Sequence, residues 1–301
     1  FMHAMIDGKG TVRPCCSWDI EVDSIDDPWP NMQDGLHNAV TSEKFQRVRN
    51  ALLNKQDVDG CRRCHFNEKT QGMSFRLARL ERDADWIANT EFHKDLHQMR
   101  YMETGFSSLC NLSCRMCWEG VSSTYHRITR PGQKIKMGYN HPIEKYDVDL
   151  SDITEIIIYH TNCTVLPSKR VQEVWKKCRK IELSMSIDSY GYNNWEQRPG
   201  PYQWEDLVKV TDQFKRWSEE WENIQLQIGA VLTKINVFHM HELIDWVNTY
   251  WEGTKGWNNL GFNTAERPHE LSIQSWQSDT VKMSKVRQYA DTLPDRYKRQ
   301  L

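Results

Sequence analysis

The chain has no apolar run approaching the length of a bilayer span. Its opening stretch, Phe1 to Ile6, is too short for a signal peptide and lacks the flanks of one. Surplus charge is missing too. A formal net charge of -2 over 301 residues predicts no strong non-specific attraction to nucleic acid or to an anionic membrane. No specific nucleic-acid site is indicated either. No internal repeat or low-complexity segment is found. Hydrophobic content is low at 39%, offset by 13 tryptophans, and the length suits one large or two modest domains. The chain reads as soluble and cytoplasmic. It begins with Phe instead of an initiator Met, as a fragment or a processed product would.

What the sequence does hold is cysteine. Nine are present, an odd number grouped in short spacings, which suits metal binding in a reducing compartment better than a disulfide framework. The sequons at Asn111 and Asn162 carry no weight in such a compartment. The most informative group is Cys110-Asn-Leu-Ser-Cys114-Arg-Met-Cys117, a C-x3-C-x2-C spacing. Structural zinc closes its tetrahedron with four protein ligands, whereas this loop offers three thiols and no fourth nearby. A cubane iron-sulfur cluster held by three thiolates leaves one iron open to a small molecule, so the spacing favours a 4Fe-4S cluster. A second group, Cys15-Cys16 with Cys61-Arg-Arg-Cys64, can close a four-thiolate site. Adjacent cysteines seldom both ligate one metal without strain, so either Cys15 or Cys16 can be spare. Auxiliary iron-sulfur, structural zinc and free thiols all remain open for this group. Cys163 and Cys178 read as buried small hydrophobes.

Hydrophobic patterning divides the chain near residue 98. Before it lie a hairpin (Met2 to Cys15), a polar loop rich in Asp and Pro, a helix from Ser42 to Asn54 with Ser42 as cap, and a helix from Met73 to Asn89. After it, strands at Tyr101–Phe106, Glu155–Tyr159, Ile181–Ile187, Ile224–Leu232 and Leu260–Asn263 alternate with helices at Lys169–Arg179, Trp204–Trp221, Val237–Tyr250 and Ser278–Thr292. Such alternation predicts a parallel sheet with right-handed crossovers, in which the cysteine loop follows the first of these strands. Trp204, Trp217, Trp221, Trp246, Trp251 and Trp257 sit at spacings that predict core packing over a stacking surface. His239 and His241 read as surface or capping residues.

The C-x3-C-x2-C loop resembles the defining motif of the radical S-adenosylmethionine (radical SAM) superfamily. Gly10-Thr-Val-Arg-Pro-Cys15-Cys16, with Cys61-Arg-Arg-Cys64 and Glu68, looks like the auxiliary-cluster segment of its Twitch/SPASM-type members. Thr161 to Pro167 is similar to their third-strand segment, and Ser184-Met-Ser186-Ile-Asp188 to their fourth. The stretch Asn193 to Trp204, with Arg198, is similar to the loop that follows, and Asn263 to Ile273 to the sixth strand and its exit. The resemblance implies an α/β fold, a partial (βα) barrel of radical SAM type over 99–301, preceded by a Twitch/SPASM-like iron-sulfur domain over 1–98. It implies a 4Fe-4S cluster on Cys110, Cys114 and Cys117 that binds S-adenosyl-L-methionine. Met116, Ser186, Asp188 and Arg198 match positions near SAM, and Cys15, Cys16, Cys61 and Cys64 match the auxiliary ligands.

One element of the family is missing. No Gly-Gly-Glu-Pro-like turn follows the second strand, and only 44 residues separate Cys117 from Asn162. The strand-helix unit that carries the turn reads as deleted. The resemblance therefore leaves two functional expectations. The first is a radical SAM enzyme acting on a peptide or protein, served by a reductant such as flavodoxin or ferredoxin. The second is a degenerate, non-catalytic iron-sulfur electron-transfer or binding protein.

Overall fold

The computed structural model describes residues 3–7, 9–92, 99–104, 110–117, 122–133, 154–265 and 268–298. Two compact units divide the chain, one comprising Phe1–Phe106 with Asn140–Ile157, the other Ser107–Tyr139 with Ile158–Leu301. Seven strands form a mixed, mostly parallel sheet in the order β2-β1-β3-β4-β5-β6-β7. The segment in which a lost strand-helix unit would fall, 134–153, lies outside the described residues. Among the described residues no helix is long and apolar enough to cross a membrane.

In the first unit, β1 (His3–Ile6) pairs antiparallel with β2 (Val12–Arg13), as the hairpin pattern predicts, and parallel with β3 (Met99–Thr104). The Asp7 carboxylate accepts the backbone N–H groups of Lys9 and Thr11 and so closes the turn. The polar loop beyond β2 is fastened by one carboxylate. Asp23 accepts from the indoles of Trp18 (2.9 Å) and Trp29 (2.7 Å) and from Arg13 (3.0 Å). Burial works against the Asp23 charge, and these donors more than offset it, holding the carboxyl below its ordinary pKa.

Helix α1 (Leu36–Val40) precedes α2 (Glu43–Leu53), whose N-terminus is capped by Ser42 as expected. Arg62–Gln71 forms a further helix, α3, that hydrophobic periodicity did not signal because its ten residues are mostly polar. The predicted helix over 73–89 is two helices, α4 (Phe75–Arg82) and α5 (Ala84–Ala88). The break is at Asp83, which is buried and accepts the Tyr101 hydroxyl at 2.6 Å. That bond holds Asp83 out of helical geometry (φ -108°, ψ 21°), overriding an otherwise continuous helical pattern.

Strand β4 (Thr154–Thr161) runs from the first unit into the second. There β5 (Lys180–Ser186), β6 (Ile224–Leu232) and β7 (Trp257–Thr264) are parallel neighbours. Burial is continuous from Ile181 to Met185, the mark of a strand covered on both faces. On β6 it alternates, with Ile224, Leu226, Ile228, Ala230 and Leu232 inward. Fully burying one such Ile or Leu contributes roughly 1.5–3 kcal/mol. Helices α6 (Ser123–Thr129), α7 (Lys169–Lys177), α8 (Gly191–Gln197), α9 (Trp204–Glu220), α10 (Met240–Trp251) and α11 (Thr280–Ala290) belong to this unit. Trp217 and Trp251 are buried, and Trp246 meets Trp204 and Trp251 edge-on, so these tryptophans pack the core as their spacing predicts.

Candidate metal centre

None of the nine cysteines is in a disulfide. In the second unit, Cys110–Cys117 is an irregular loop braced from three directions. From α6, Ser123 Oγ accepts the Cys110 N–H (3.1 Å), Thr124 Oγ1 donates to the Cys110 carbonyl (2.6 Å), and Ser122 Oγ donates to the Leu112 carbonyl (2.7 Å). The end of α8 and the segment after it supply carbonyls, with Gln197 accepting from Arg115 N (2.9 Å) and Pro199 from Ser113 N (2.8 Å). Beyond β4, Asn162 Nδ2 donates to Asn111 Oδ1 (3.2 Å) and approaches Cys110 Sγ at 3.6 Å, while Thr164 Oγ1 donates to Asn111 Oδ1 (3.0 Å). The Leu112 N–H also points at Cys110 Sγ (3.4 Å). Cys110 therefore has two N–H groups directed at its sulfur, the environment of a ligating thiolate.

Asn162 is held in this attitude by its neighbour. Cys163 is fully buried with φ at +59°, a conformation that costs a non-glycine residue about 1–3 kcal/mol. The left-handed turn lets Asn162 Oδ1 accept the Thr164 N–H (3.1 Å) and leaves Nδ2 for the cysteine loop. Cys163 and Cys178 are both buried, as expected for small apolar side chains.

Cys114 is 2% exposed and hydrogen-bonded through sulfur to Cys117. That bond, with burial, raises the Cys114 thiol, and the same bond lowers Cys117. Arg198 lies close enough to pull both thiols toward the thiolate. Its guanidinium is buried and donates through Nη1 to Asp188 Oδ2 at 2.8 Å, while Nε has no hydrogen-bond partner. Burial opposes the Arg198 charge, and Asp188 together with Cys114 more than restores it.

Asp188 is fully buried and its other oxygen accepts the Val231 N–H (2.8 Å). Its backbone N–H goes to Asn194 Oδ1 (2.9 Å) and its carbonyl accepts from Asn236 Nδ2 (2.6 Å). Asp188 and Arg198 are thus brought together beside the thiols. Ser186, at the end of β5, and Met116 are partly exposed. Asn111, Asn162, Thr164, Asn194 and Asn236 had no metal-ligand or titratable signature in the sequence. Asn162 and Thr164 were marked in the sequence only as part of the Thr161 to Pro167 segment that resembles the family's third strand.

Gly200 sets the distance between the cysteine loop and the segment after α8. A Cβ there would overlap the buried Leu112 side chain and lie 3.2 Å from the Asn111 carbonyl oxygen. Gly200→Ala is therefore expected to destabilise the chain by about 1–3 kcal/mol in urea unfolding. The same variant is expected to retain less iron after reconstitution, since Asn111 and Leu112 must shift.

In the first unit Cys16 stands apart from the other three cysteines. Cys15, Cys61 and Cys64 line one largely apolar cavity of about 360 Å³, together with Trp18, Phe75 and Tyr101. Burial pushes the Cys15 thiol up to about 12, and Cys61 and Cys64 add to the rise. The cysteine turn approaches through Gly60, where any Cβ would overlap the Trp18 ring. Cys16 is not part of this lining. It belongs with His3 and Glu103, the three ligand atoms all lying within 4.8 Å of one another. Among the described residues this is the one trio of His, Cys, Asp or Glu drawn so tightly together. Glu68 binds Arg76 and the Ser74 hydroxyl. On α10, the exposed His241 meets the Tyr289 hydroxyl (3.0 Å), and His239 just before it lies 3.3 Å from Glu242, the helix-surface roles expected of them.

No family profile and no curated protein matches the chain. Among solved structures it is similar to native anSMEcpe with bound AdoMet, at 15% identity and a TM-score of 0.38, over 56% of this chain and 52% of that one. The same protein with bound AdoMet and Cp18Cys peptide gives 14% and 0.36, over 55% and 50%. Streptococcus suis SuiB gives 12% and 0.35, over 94% of this chain and 68% of its own. The match spans about half the length of anSMEcpe.

Proposed function

We propose that the chain is a radical SAM enzyme with a partial (βα) barrel core, in which Cys110, Cys114 and Cys117 hold a 4Fe-4S cluster that cleaves S-adenosylmethionine. The observation that carries this reading is the cradle around the three thiols. Cys110 Sγ is approached by the Leu112 N–H and by Asn162 Nδ2, and a buried arginine with an unpaired Nε acts on Cys114 and Cys117. A loop built merely to pack would leave neither donors aimed at sulfur nor a guanidinium nitrogen without a partner in its interior. Three thiols from one loop also fit a cluster with an open iron better than a closed four-ligand zinc site.

Held by Cys110, Cys114 and Cys117, such a cluster would supply the one-electron chemistry that splits SAM and initiates hydrogen abstraction from a substrate. The chain's own residues hold and tune. Asn162 and Leu112 N–H lower the electron density at the Cys110 sulfur. Asp188, its carboxylate already engaged by Arg198 and Val231, serves as a positioning residue for Arg198. Arg198, through its free Nε, is the side chain assigned to the SAM carboxylate, and Ser186 and Met116 are assigned to SAM contact by the resemblance. Cys15, Cys61 and Cys64 are assigned to an auxiliary iron-sulfur cluster in the first unit. A peptide or protein substrate and a flavodoxin or ferredoxin reductant follow from the resemblance to auxiliary-domain members of the family.

The absence of a Gly-Gly-Glu-Pro-like turn favours a second reading, a non-catalytic iron-sulfur electron-transfer or binding protein. Anaerobic reconstitution with iron and sulfide, followed by chemical reduction and assay of 5'-deoxyadenosine from SAM, separates the two. Product formation supports the enzyme. Full iron loading with no product and no SAM binding by calorimetry sinks it in favour of the second reading.

A further inference from the structure

We propose that the first unit carries a mononuclear zinc site built from His3, Cys16 and Glu103, distinct from the Cys15, Cys61 and Cys64 thiols. The inference is independent of the radical SAM reading. Its first support is geometric. One nitrogen, one sulfur and one oxygen ligand lie within 4.8 Å of one another, a spread that a single ion can bridge.

The backbone sets this meeting. Strands β1 and β3 are parallel with His3 opposite Tyr101 and Met5 opposite Glu103. His3 and Glu103 are therefore two positions apart in register, and side chains two apart share one face of a sheet. Cys16 follows β2, which is paired to β1 on its other edge, three residues after Arg13. A shared ion would tie three separate segments of the unit.

The second support is an unexplained buried group. His3 is 8% exposed; its Nε2 pairs with Glu103 Oε2 at 3.4 Å, while Nδ1 has no hydrogen-bond partner. Leaving a buried polar group unsatisfied costs about 1–3 kcal/mol, and native interiors avoid it unless something else binds there. The rest of the ring packs edge-on to Phe75 (5.5 Å) and tilted against Tyr101 (6.0 Å). A nitrogen so placed beside a thiol and a carboxylate has the surroundings of a metal ligand.

The third support is charge balance. Burial and the neighbouring Glu103 keep the metal-free Cys16 as a thiol, and a dication that displaced its proton would be matched by one thiolate and one carboxylate, leaving the site neutral. The mixed thiolate, imidazole and carboxylate set selects a borderline ion such as zinc over magnesium or calcium, which take oxygen ligands alone.

The test uses the full chain after iron and sulfide loading, challenged first with zinc and then with cobalt(II) as a spectroscopic substitute. Wild type is expected to bind one zinc equivalent beyond its iron. Cys16→Ser and the near-isosteric Glu103→Gln are expected to lose that equivalent, and the triple variant Cys15→Ser, Cys61→Ser, Cys64→Ser to keep it. In wild type, bound cobalt should show a thiolate charge-transfer band that disappears in Cys16→Ser. Glu103→Gln, which preserves volume, keeps the test readable if Cys16→Ser misfolds by circular dichroism. Zinc retained in both single variants, zinc lost only in the triple variant, or no zinc in wild type would each overturn the proposal.

Discussion

Cys114→Ala is expected to abolish 5'-deoxyadenosine formation and to remove the iron held in the second unit, while iron bound through Cys15, Cys61 and Cys64 remains. Cys114 is the most buried of the three motif cysteines and the one hydrogen-bonded through sulfur to Cys117. It sits between two loop segments pinned at both ends by carbonyls of Gln197 and Pro199, so the backbone cannot bring a substitute ligand into its place. Losing a supporting residue around a metal typically costs 10–100-fold in affinity or activity, and losing a ligand from a three-thiolate set should exceed that. The alanine is smaller than the thiol and the position is not strained, so the fold should survive, checked by circular dichroism. The measurements are iron per chain and product per hour against wild type. A variant that loads the same iron and forms product at the wild-type rate would exclude the cluster assignment.

The site was legible where it depends on covalent spacing and obscure where it depends on tertiary partners. Cys110, Cys114 and Cys117 are close in sequence, so a three-thiol loop follows from their spacing alone. The strands were legible for a similar reason. The run over Ile224–Leu232 alternates from Ile224 to Ile228 and ends in the apolar Ala230-Val231-Leu232, and the observed strand has those same ends. By contrast, Asp83 breaks a helix because Tyr101, 18 residues away, offers it a hydroxyl. Nothing local distinguishes Asp83 from a solvated helical aspartate. Helix α8 went unread because its seven residues, Gly191–Gln197, bury only Asn194 and Gln197, both polar. Their burial makes sense only with Asp188, Tyr202, Val231 and Thr233 as hydrogen-bond partners. Polar burial of this kind is set by long-range pairing, and hydrophobic periodicity has no means of registering it.

Asp188→Ala is expected to cost about 3–5 kcal/mol in stability, the range for removing one partner of a buried ion pair. The loss would exceed that of an ordinary core truncation of the same size because two groups are stranded together. Arg198 keeps its buried charge with Nη1 as well as Nε unpaired, and the Val231 N–H loses its acceptor. Asp188→Asn should cost less, since an amide oxygen can still accept from one of the two donors. Iron content should fall with stability in the alanine variant, as Arg198 would no longer be held against Cys114 and Cys117. A double-mutant cycle with Arg198→Met distinguishes pairing from packing. If the ion pair is what Asp188 supports, the double variant should be more stable than the sum of the single losses predicts, by roughly 0.5–3 kcal/mol. Additive losses would mean that Asp188 acts chiefly through its bond to Val231 N, and Arg198 would then owe its place beside the thiols to the loop at Gln197–Pro199 instead.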